Sequence, residues 1–250
     1  MAARLGVTSI CIPQGSTEFP VATQGAVAGR AATEGANVPN ASAFTTAETV
    51  LSPDFAMGAY MRISRKAVKQ VGGGLEQAIR RDMAAAIGAE LDRASLVGSG
   101  SAGQPMGLVG LATGAGVRTA TWAAVLAEVV ALMTANAISD PESVRLAITP
   151  AMWSALEDAL WYAGSGISEW QRLTGDVGAP ALATQMPANT ALMAVTAGGL
   201  SPAYLGHWDG LDVIRDPYSD AQSGGFRLTG PLTVDLAVPR AVQLRKLAAE

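Results

Sequence analysis

Cysteine is almost absent. Cys11 is the only one, which excludes a disulfide framework and any cysteine-based zinc site and fits a reducing compartment. Histidine occurs once, at His207. Charged residues make up 15% of the chain, against the ~25% of an average soluble domain, so little charge is left to solubilise an open surface. Basic residues are not in surplus either: the net charge is −4, the wrong sign for a dedicated nucleic-acid binder. Long apolar runs are missing too. The most apolar helical stretch, Trp122 to Met133, is broken by Glu128 and falls short of the ~20 residues that span a bilayer. The run from Leu5 to Ile12 ends at Pro13, too brief and too poorly flanked for a secretory signal. What the chain does have is 250 residues, 49% of them hydrophobic. That rules out disorder and supports a core without metals or disulfides. Many apolar residues with few charges point to a surface largely covered by neighbours.

Residues 1–60 are poor in helix signals. Short β-compatible pieces, Val7 to Ile12 and Thr45 to Leu51, flank a tract from Gln24 to Asn40 punctuated by Gly25, Gly29, Gly35 and Pro39. Such a tract cannot supply a core of its own, so an extended arm and a long β-hairpin projecting from the body are expected. After Gly72-Gly73-Gly74, the residues Leu75, Ile79, Met83, Ile87 and Leu91 recur every fourth position among charges. That stripe predicts an amphipathic helix from Leu75 to Val97, about 34 Å long, stopped by Gly98. From Thr121 the pattern alternates between α and β. Thr121 caps a helix carrying Trp122, Val125, Leu126, Val129, Val130 and Met133. Val144 to Ile148 reads as a strand, and Thr149-Pro150 starts a helix whose buried face would be Met152, Trp153, Leu156 and Leu160. A Gly-rich loop (Gly164, Gly166, Gly175, Gly178) follows, then short strands at Ala191 to Val195 and Leu211 to Arg215. A long strand carries Leu232, Val234, Leu236 and Val238 on one side and Thr233, Asp235 and Ala237 on the other. No internal repeat is present.

No constellation reads as an active site. Gly98-Ser99-Gly100-Ser101-Ala102-Gly103 matches G-x-G-x-x-G, but a dinucleotide loop lies between a strand and a helix. Here the loop follows the longest helix, and a helix stop with a tight connector is the plainer reading. No Walker lysine follows. His207 lacks a G-x-S-x-G partner, and Cys11 and His207 belong to an arm and a distant body segment. Asp209, Asp212, Asp216 and Asp220 lack the spacing of a calcium loop. Trp122, Trp153, Trp161, Trp170 and Trp208 have few interleaved cations and read as core or interface anchors, not as a base-stacking platform.

One stretch is more specific. Gly74 to Ile79, the long helix and then Leu96-Val97-Gly98-Ser99-Gly100-Ser101-Ala102-Gly103-Gln104-Pro105-Met106-Gly107-Leu108 resemble the spine helix and following G-x-G-x-x-x-P-x-G loop of Hong Kong 97-type major capsid proteins. Thr33-Glu34-Gly35-Ala36-Asn37-Val38-Pro39 resembles the family's E-G-A-x-x-P stretch, and Ile63-Ser64-Arg65 its return toward the spine helix. Met186 to Leu192, Gly210 to Val213 with Asp216-Pro217, and Val234 to Val238 resemble its later strands in order.

The resemblance covers about residues 30–245. It implies an α+β Hong Kong 97-like fold with an N-terminal arm (1–27), an extended loop (28–60), a peripheral domain with spine helix 75–97 (61–120), an axial domain (121–225) and a return to the peripheral domain (226–250). It implies pentamers and hexamers tiling an icosahedral virion shell around double-stranded DNA that is contacted nonspecifically, assembled in a bacterial host cytoplasm. A portal, a scaffold or protease, and a cement protein are the implied partners. No enzyme activity, cofactor, metal site or membrane partner is expected. Assembly contacts are expected at Arg30, Glu34, Gly35, Pro39 and Glu48 in the extended loop, and at Gly98, Gly100, Gly103, Pro105 and Gly107 after the spine helix. The ~100-residue scaffold domain of some relatives is missing, so this is expected to be a mature chain or one with a separate scaffold. The type member's cross-links join a loop lysine to a neighbour's asparagine. The only lysines here are Lys66, Lys69 and Lys246, so no such links are expected. The alternatives are an encapsulin-type nanocompartment shell, whose N-terminal helix is not evident in residues 1–30, a phage tail or connector protein, and a soluble α/β nucleotide-binding enzyme using the Gly98 to Gly107 loop.

Overall fold

The structure, a computed structural model, describes residues 1–24, 30, 33–34, 44–71, 74–114, 116–178, 180–208, 210 and 213–250. A 3-10 turn at Ala2–Leu5 precedes β1 (Thr8–Ile12), β2 (Thr17–Gln24), β3 (Thr45–Leu51) and β4 (Phe55–Ile63). Helices α1 (Arg65–Val71), α2 (Gly74–Val97) and α3 (Leu108–Leu111) follow, then β5 (Val117–Arg118) and α4 (Trp122–Asn136). Next come β6 (Arg145–Ile148), α5 (Pro150–Asp158), α6 (Glu169–Asp176), β7 (Ala181–Leu182) and β8 (Thr190–Ala194). The chain continues through β9 (Tyr204–Trp208), β10 (Ile214–Asp216), β11 (Phe226–Ala237) and β12 (Leu244–Ala249).

These strands sort into three sheets. In the first, β11 is the axis: β4 runs antiparallel along it from Phe226↔Ile63 to Val234↔Phe55. Its other edge is shared by β10 and then β9, with β1 parallel beyond β9. The second sheet has the order β5-β12-β8-β6-β7, and the third is the hairpin β2–β3.

The spine-like helix α2 begins at Gly74 and stops where Gly98 takes over. Met83 and Ile87, one turn apart, are buried, and Met83 joins Ile63, Phe226 and Leu228 in one cluster under β4 and β11. The end of the helix, Ala94 to Leu96, is fully enclosed; Leu96 sits in the core with Leu5, Leu108, Leu192 and Leu244. The second sheet is covered on both faces. Leu192, Ala194 and Leu244 face that core, whereas Leu146, Ile148, Met193 and Leu247 face α4, α5 and α6 through Val125, Val129, Met152, Leu156 and Leu173. Burial on both faces explains strands that read as continuous apolar runs instead of alternating. As expected, α4 is capped by Thr121, whose hydroxyl accepts from the Ala124 N–H at 3.2 Å. Inside it Glu128 is buried and paired with Arg245 of β12 at 2.6 Å.

Several expectations need correction. Residues 1–12 do not project: Ala2, Leu5 and Val7 are buried in the main core, and β1 is paired, because this short apolar segment has a cluster to enter. The hairpin begins at Thr17, ahead of the boundary expected at 28. Residues 226–250 do not travel together, since β11 stays in the first sheet and β12 crosses to the second. Trp153 and Leu160 are exposed rather than part of the buried face. Met152 and Leu156 already supply the inward i,i+4 pair, and Leu160 lies beyond the helix end. The Gly-rich loop contains α6, capped by Ser168 accepting from the Gln171 N–H. Strands β9 and β12 were not expected, and the strand expected over Leu211 to Arg215 is β10, two of whose expected residues, 211 and 212, lie outside the described ones. Thr149 precedes α5 without capping it; its hydroxyl accepts from the Thr190 N–H at 3.3 Å instead, tying α5 to β8.

Candidate functional site

The hairpin β2–β3 is the part of the molecule least able to stand alone. In β3 only Leu51 is buried, and Thr45 to Glu48 and Val50 are exposed. A two-stranded ribbon is marginal in water by itself, so its position is set where β2 and the ribbon's base meet the body. There the Phe19 ring stacks on Tyr204 at 5.1 Å. The Trp208 indole N–H donates to the Gly15 carbonyl at 2.7 Å, Arg240 donates to the Ala22 carbonyl at 3.0 Å, and the Ser52 N–H donates to the Asp235 carboxylate at 2.9 Å. Three of the four body residues, Tyr204, Trp208 and Asp235, stand on β9 and β11, so the first sheet is the platform from which the ribbon is launched.

The loop after α2 is closed upon itself. The Gly98 N–H donates to the Ala94 carbonyl, Gly107 to Gly98, Gly100 to Pro105 and Gln104 to Ser101. A Cβ on Gly98 would stand 2.1 Å from the Pro105 carbonyl oxygen, and one on Gly107 2.5 Å from the Gly98 nitrogen. Those two glycines are required by close backbone approach, and Gly100 by its φ of +67°. The amides of Gly98, Gly100, Gln104 and Gly107 are thus engaged inside the loop and are not available to cradle a phosphate.

Two carboxylates mark the ends of β11. Near Phe226, Arg227 stands directly opposite Arg62 across the ladder. Like charges so placed repel, and Asp220 answers both: its oxygens lie 2.7 Å from Arg227 Nε and 2.7 Å from Arg62 Nη2. The hydrogen bond from Arg227 holds the Asp220 carboxyl below the usual carboxylate range. Asp216, which accepts from the Ser219 hydroxyl and from the backbone of Tyr218 and Ser219, is likewise lowered. At the other end, Asp235 is buried and accepts from the Ser52 and Leu236 N–H groups. Burial pushes its carboxyl up; the two N–H bonds oppose that, and Asp54 adds to it.

Of the expected contact residues, Arg30, Glu34 and Glu48 are exposed, Glu48 within β3, and Gly35 and Pro39 lie outside the described residues. Gly98, Pro105 and Gly107 are buried, and Gly100 and Gly103 are exposed; these five join α2 to α3 and are not gathered with the hairpin residues. Asp209 and Asp212 also lie outside the described residues. Cys11 and His207 are not distant: they are register partners of the parallel β1–β9 pair, with Ser9 Oγ 3.2 Å from His207 Nδ1. Among the described residues no group of three or more His, Cys, Asp or Glu side chains could hold a metal, and no helix is long and apolar enough to cross a membrane. The hairpin anchors were missed in the sequence. Their one visible signal was Asp235, a charge inside an otherwise apolar strand.

No curated protein matches the chain. Solved structures do. The capsid of an empty GTA particle, computed with C5 symmetry, superposes with a TM-score of 0.74 at 16% identity, covering 100% of this chain and 90% of that one. The capsid of Myoviridae phage XM1 gives 0.72 at 12%, covering 99% and 91%, and Mycobacterium phage Adephagia gives 0.72 at 13% with 99% and 90% covered. The α+β arrangement is therefore the Hong Kong 97-like capsid fold. The model of the phage capsid family matches residues 1–247. With a ribbon launched from the first sheet, a self-closed loop after the long helix and this match over nearly its whole length, the chain belongs to the phage capsid family and is a major capsid shell protein.

Proposed function

We propose that copies of this chain close into pentamers and hexamers that tile an icosahedral shell around double-stranded DNA, held without lysine–asparagine cross-links. The observation that carries this reading is the hairpin: a ribbon exposed along its outer strand yet held to the body at four points is built to be covered by a neighbouring copy. Supporting it are the 15% charged content and the five-fold symmetry with which the GTA capsid was computed. A slightly acidic chain suits a container whose wall must not immobilise DNA. The absence of lysine from residues 1–65 and the engagement of Lys246, which donates to the Val109 carbonyl at 2.9 Å, favour noncovalent cohesion.

In this reading the hairpin from Thr17 is the extended loop, α2 with β4 and β11 the peripheral domain, and the second sheet with α4, α5 and α6 the axial domain. Arg30, Glu34 and Glu48 would contact neighbours. A portal, a scaffold or protease, and a cement protein would act on the shell in the bacterial cytoplasm.

Electron microscopy of the purified full chain tests the reading. Uniform icosahedral particles holding nuclease-protected DNA support it. Particles that enclose a protein cargo instead would make it a nanocompartment shell, and a monodisperse monomer under assembly conditions would overturn the shell altogether. A boiled denaturing gel of the particles should show only the 25.4 kDa monomer; a covalent ladder would overturn the absence of cross-links.

A further inference from the structure

One surface of the second sheet's helical layer is used by nothing described so far. Between α5 and α6 the chain makes a projecting turn. Its base is closed by the Glu169 N–H on the Ala159 carbonyl and the Trp161 N–H on the Ile167 carbonyl, and its tip by the Ser165 N–H on the Tyr162 carbonyl. It presents Leu160, Trp161, Tyr162 and Ile167 to solvent, at 54%, 38%, 58% and 43% exposure. Apolar side chains gathered this densely mark an association site. The turn is also stiff. The Arg172 guanidinium lies 4.9 Å from the centre of the Trp161 ring and 5.8 Å from that of Trp122. Asp176 pairs with Arg172 at 3.2 Å and accepts from the Trp122 indole N–H at 2.9 Å. Side chains already fixed lose little entropy on binding.

The opposite flank of α6 is concave. Trp170 and Thr174 point about 150° away from Arg172 and Asp176, at 3.6 residues per turn. With Val177 and Pro180 they line a hollow of about 480 Å³. Gly178, also in its lining, packs against Glu142, since a Cβ there would stand 2.7 Å from the Glu142 carbonyl oxygen. Glu142, at the rim, makes no ion pair among the described residues.

We infer that the aromatic turn of one copy seats in the Trp170–Pro180 hollow of the next copy around a closed ring. This rests on the shell reading above and names the contact that forms each ring. A two-fold dimer would set a patch against itself, whereas a ring needs two different, complementary patches on one subunit. Both halves are present here on either flank of a single helix, which favours a second copy of this chain over a foreign partner. The apolar turn meets Trp170, Val177 and Pro180, and the Tyr162 hydroxyl can donate to the unpaired Glu142 carboxylate at the rim.

The test uses the full chain carrying Tyr162→Cys and Thr174→Cys in a Cys11→Ser background, assembled and treated with a short bismaleimide. A denaturing gel should show multimers rising to the ring size, while each single-cysteine chain stays at 25.4 kDa. Particles without that ladder, or an equal ladder from one cysteine alone, overturn the contact and leave the shell reading standing. Failure of the unaltered chain to form any particle overturns the shell reading itself. Independently, Tyr162→Asp should keep the circular dichroism and melting of the free subunit but lower the assembled fraction about tenfold or more, as loss of a central interface aromatic does. Assembly at the unaltered level would overturn the inference.

Discussion

At its Phe226 end, β11 packs one face on the long helix through Phe226 and Leu228 and leaves the other open, with Tyr60 three-quarters exposed on the neighbouring strand. At its Ala237 end, Val234 to Ala237 are buried in succession, so both faces are covered. Each end also holds a carboxylate. Asp220 faces two guanidinium groups, and Asp235 faces two N–H groups and an acidic neighbour. The same functional group therefore has opposite value in the two places. Where cations answer it the fold favours the ionised form; where only amides do, desolvation outweighs them.

The pH dependence follows with opposite sign. Asp220 and Asp216, lowered in the fold, contribute stability that is fully present above the unfolded carboxyl value of about 3.9 and is lost as pH falls through their lower folded values. Asp235, raised in the fold, does the reverse. Its ionised form costs stability at neutral pH, and that cost disappears as pH falls through its raised value toward about 3.9.

The contrast can be broken or sharpened by four substitutions. The largest effect is expected from Leu228→Ala, which empties a fully buried site against the long helix and should cost about 3 kcal/mol in denaturant unfolding of the free subunit. A loss below about 1 kcal/mol would mean that this end of β11 is not anchored by its packed face. Next comes Asp220→Asn, which leaves Arg62 and Arg227 facing each other. It should lower the melting temperature at pH 7, an effect that fades only as pH falls below the unfolded carboxyl value of about 3.9 and through the lowered folded value of Asp220. An unchanged melting temperature at pH 7 would remove the clamp from the account. Asp235→Asn removes the buried charge and keeps one acceptor oxygen for Ser52, while turning its NH2 toward the Leu236 N–H that the second carboxylate oxygen accepts from. It should abolish the gain seen on acidification toward pH ~4; a gain that persists would show that another group carries it. The smallest effect belongs to Tyr60→Ser on the open face, within ~0.5 kcal/mol for the free subunit. A larger loss would show that this face is not open in solution.

How much was legible in the sequence follows from how local each signal is. The helix of Leu75 to Val97, the cap at Thr121 and the proline start at Thr149-Pro150 are written within a turn or two of the residues that form them. Helix α6 was hidden because its eight residues bury only Leu173 and include Gly175. Strand β9 was hidden by Gly206 in its centre, where a Cβ would crowd the Ile12 and Leu51 side chains at 3.2 Å. Strand β12 carries Arg245 and Lys246, so its apolar signal is interrupted; those cations are satisfied by Glu128 and the Val109 carbonyl. The glycine loop was recognisable as a motif, but the backbone contacts that require glycine at 98 and 107 are tertiary. So is the parallel pairing that sets Cys11 beside His207, because nothing within either segment names the other.

Strand β12 lies inside its sheet, between β5 and β8, and Leu244 shares a cluster with Ala2 and Leu5. During synthesis, Ala2 and Leu5 leave the ribosome well before Leu244 and must therefore wait for it before their pocket is complete. Contacts so far apart in sequence are slow to form. Nascent chains stalled before Leu244 should be digested readily by protease, whereas released full chains should resist. A shell built from many copies gains a proofreading step from this arrangement: an unfinished polypeptide, lacking the strand that closes its second sheet, has no rigid shape with which to enter and spoil the lattice.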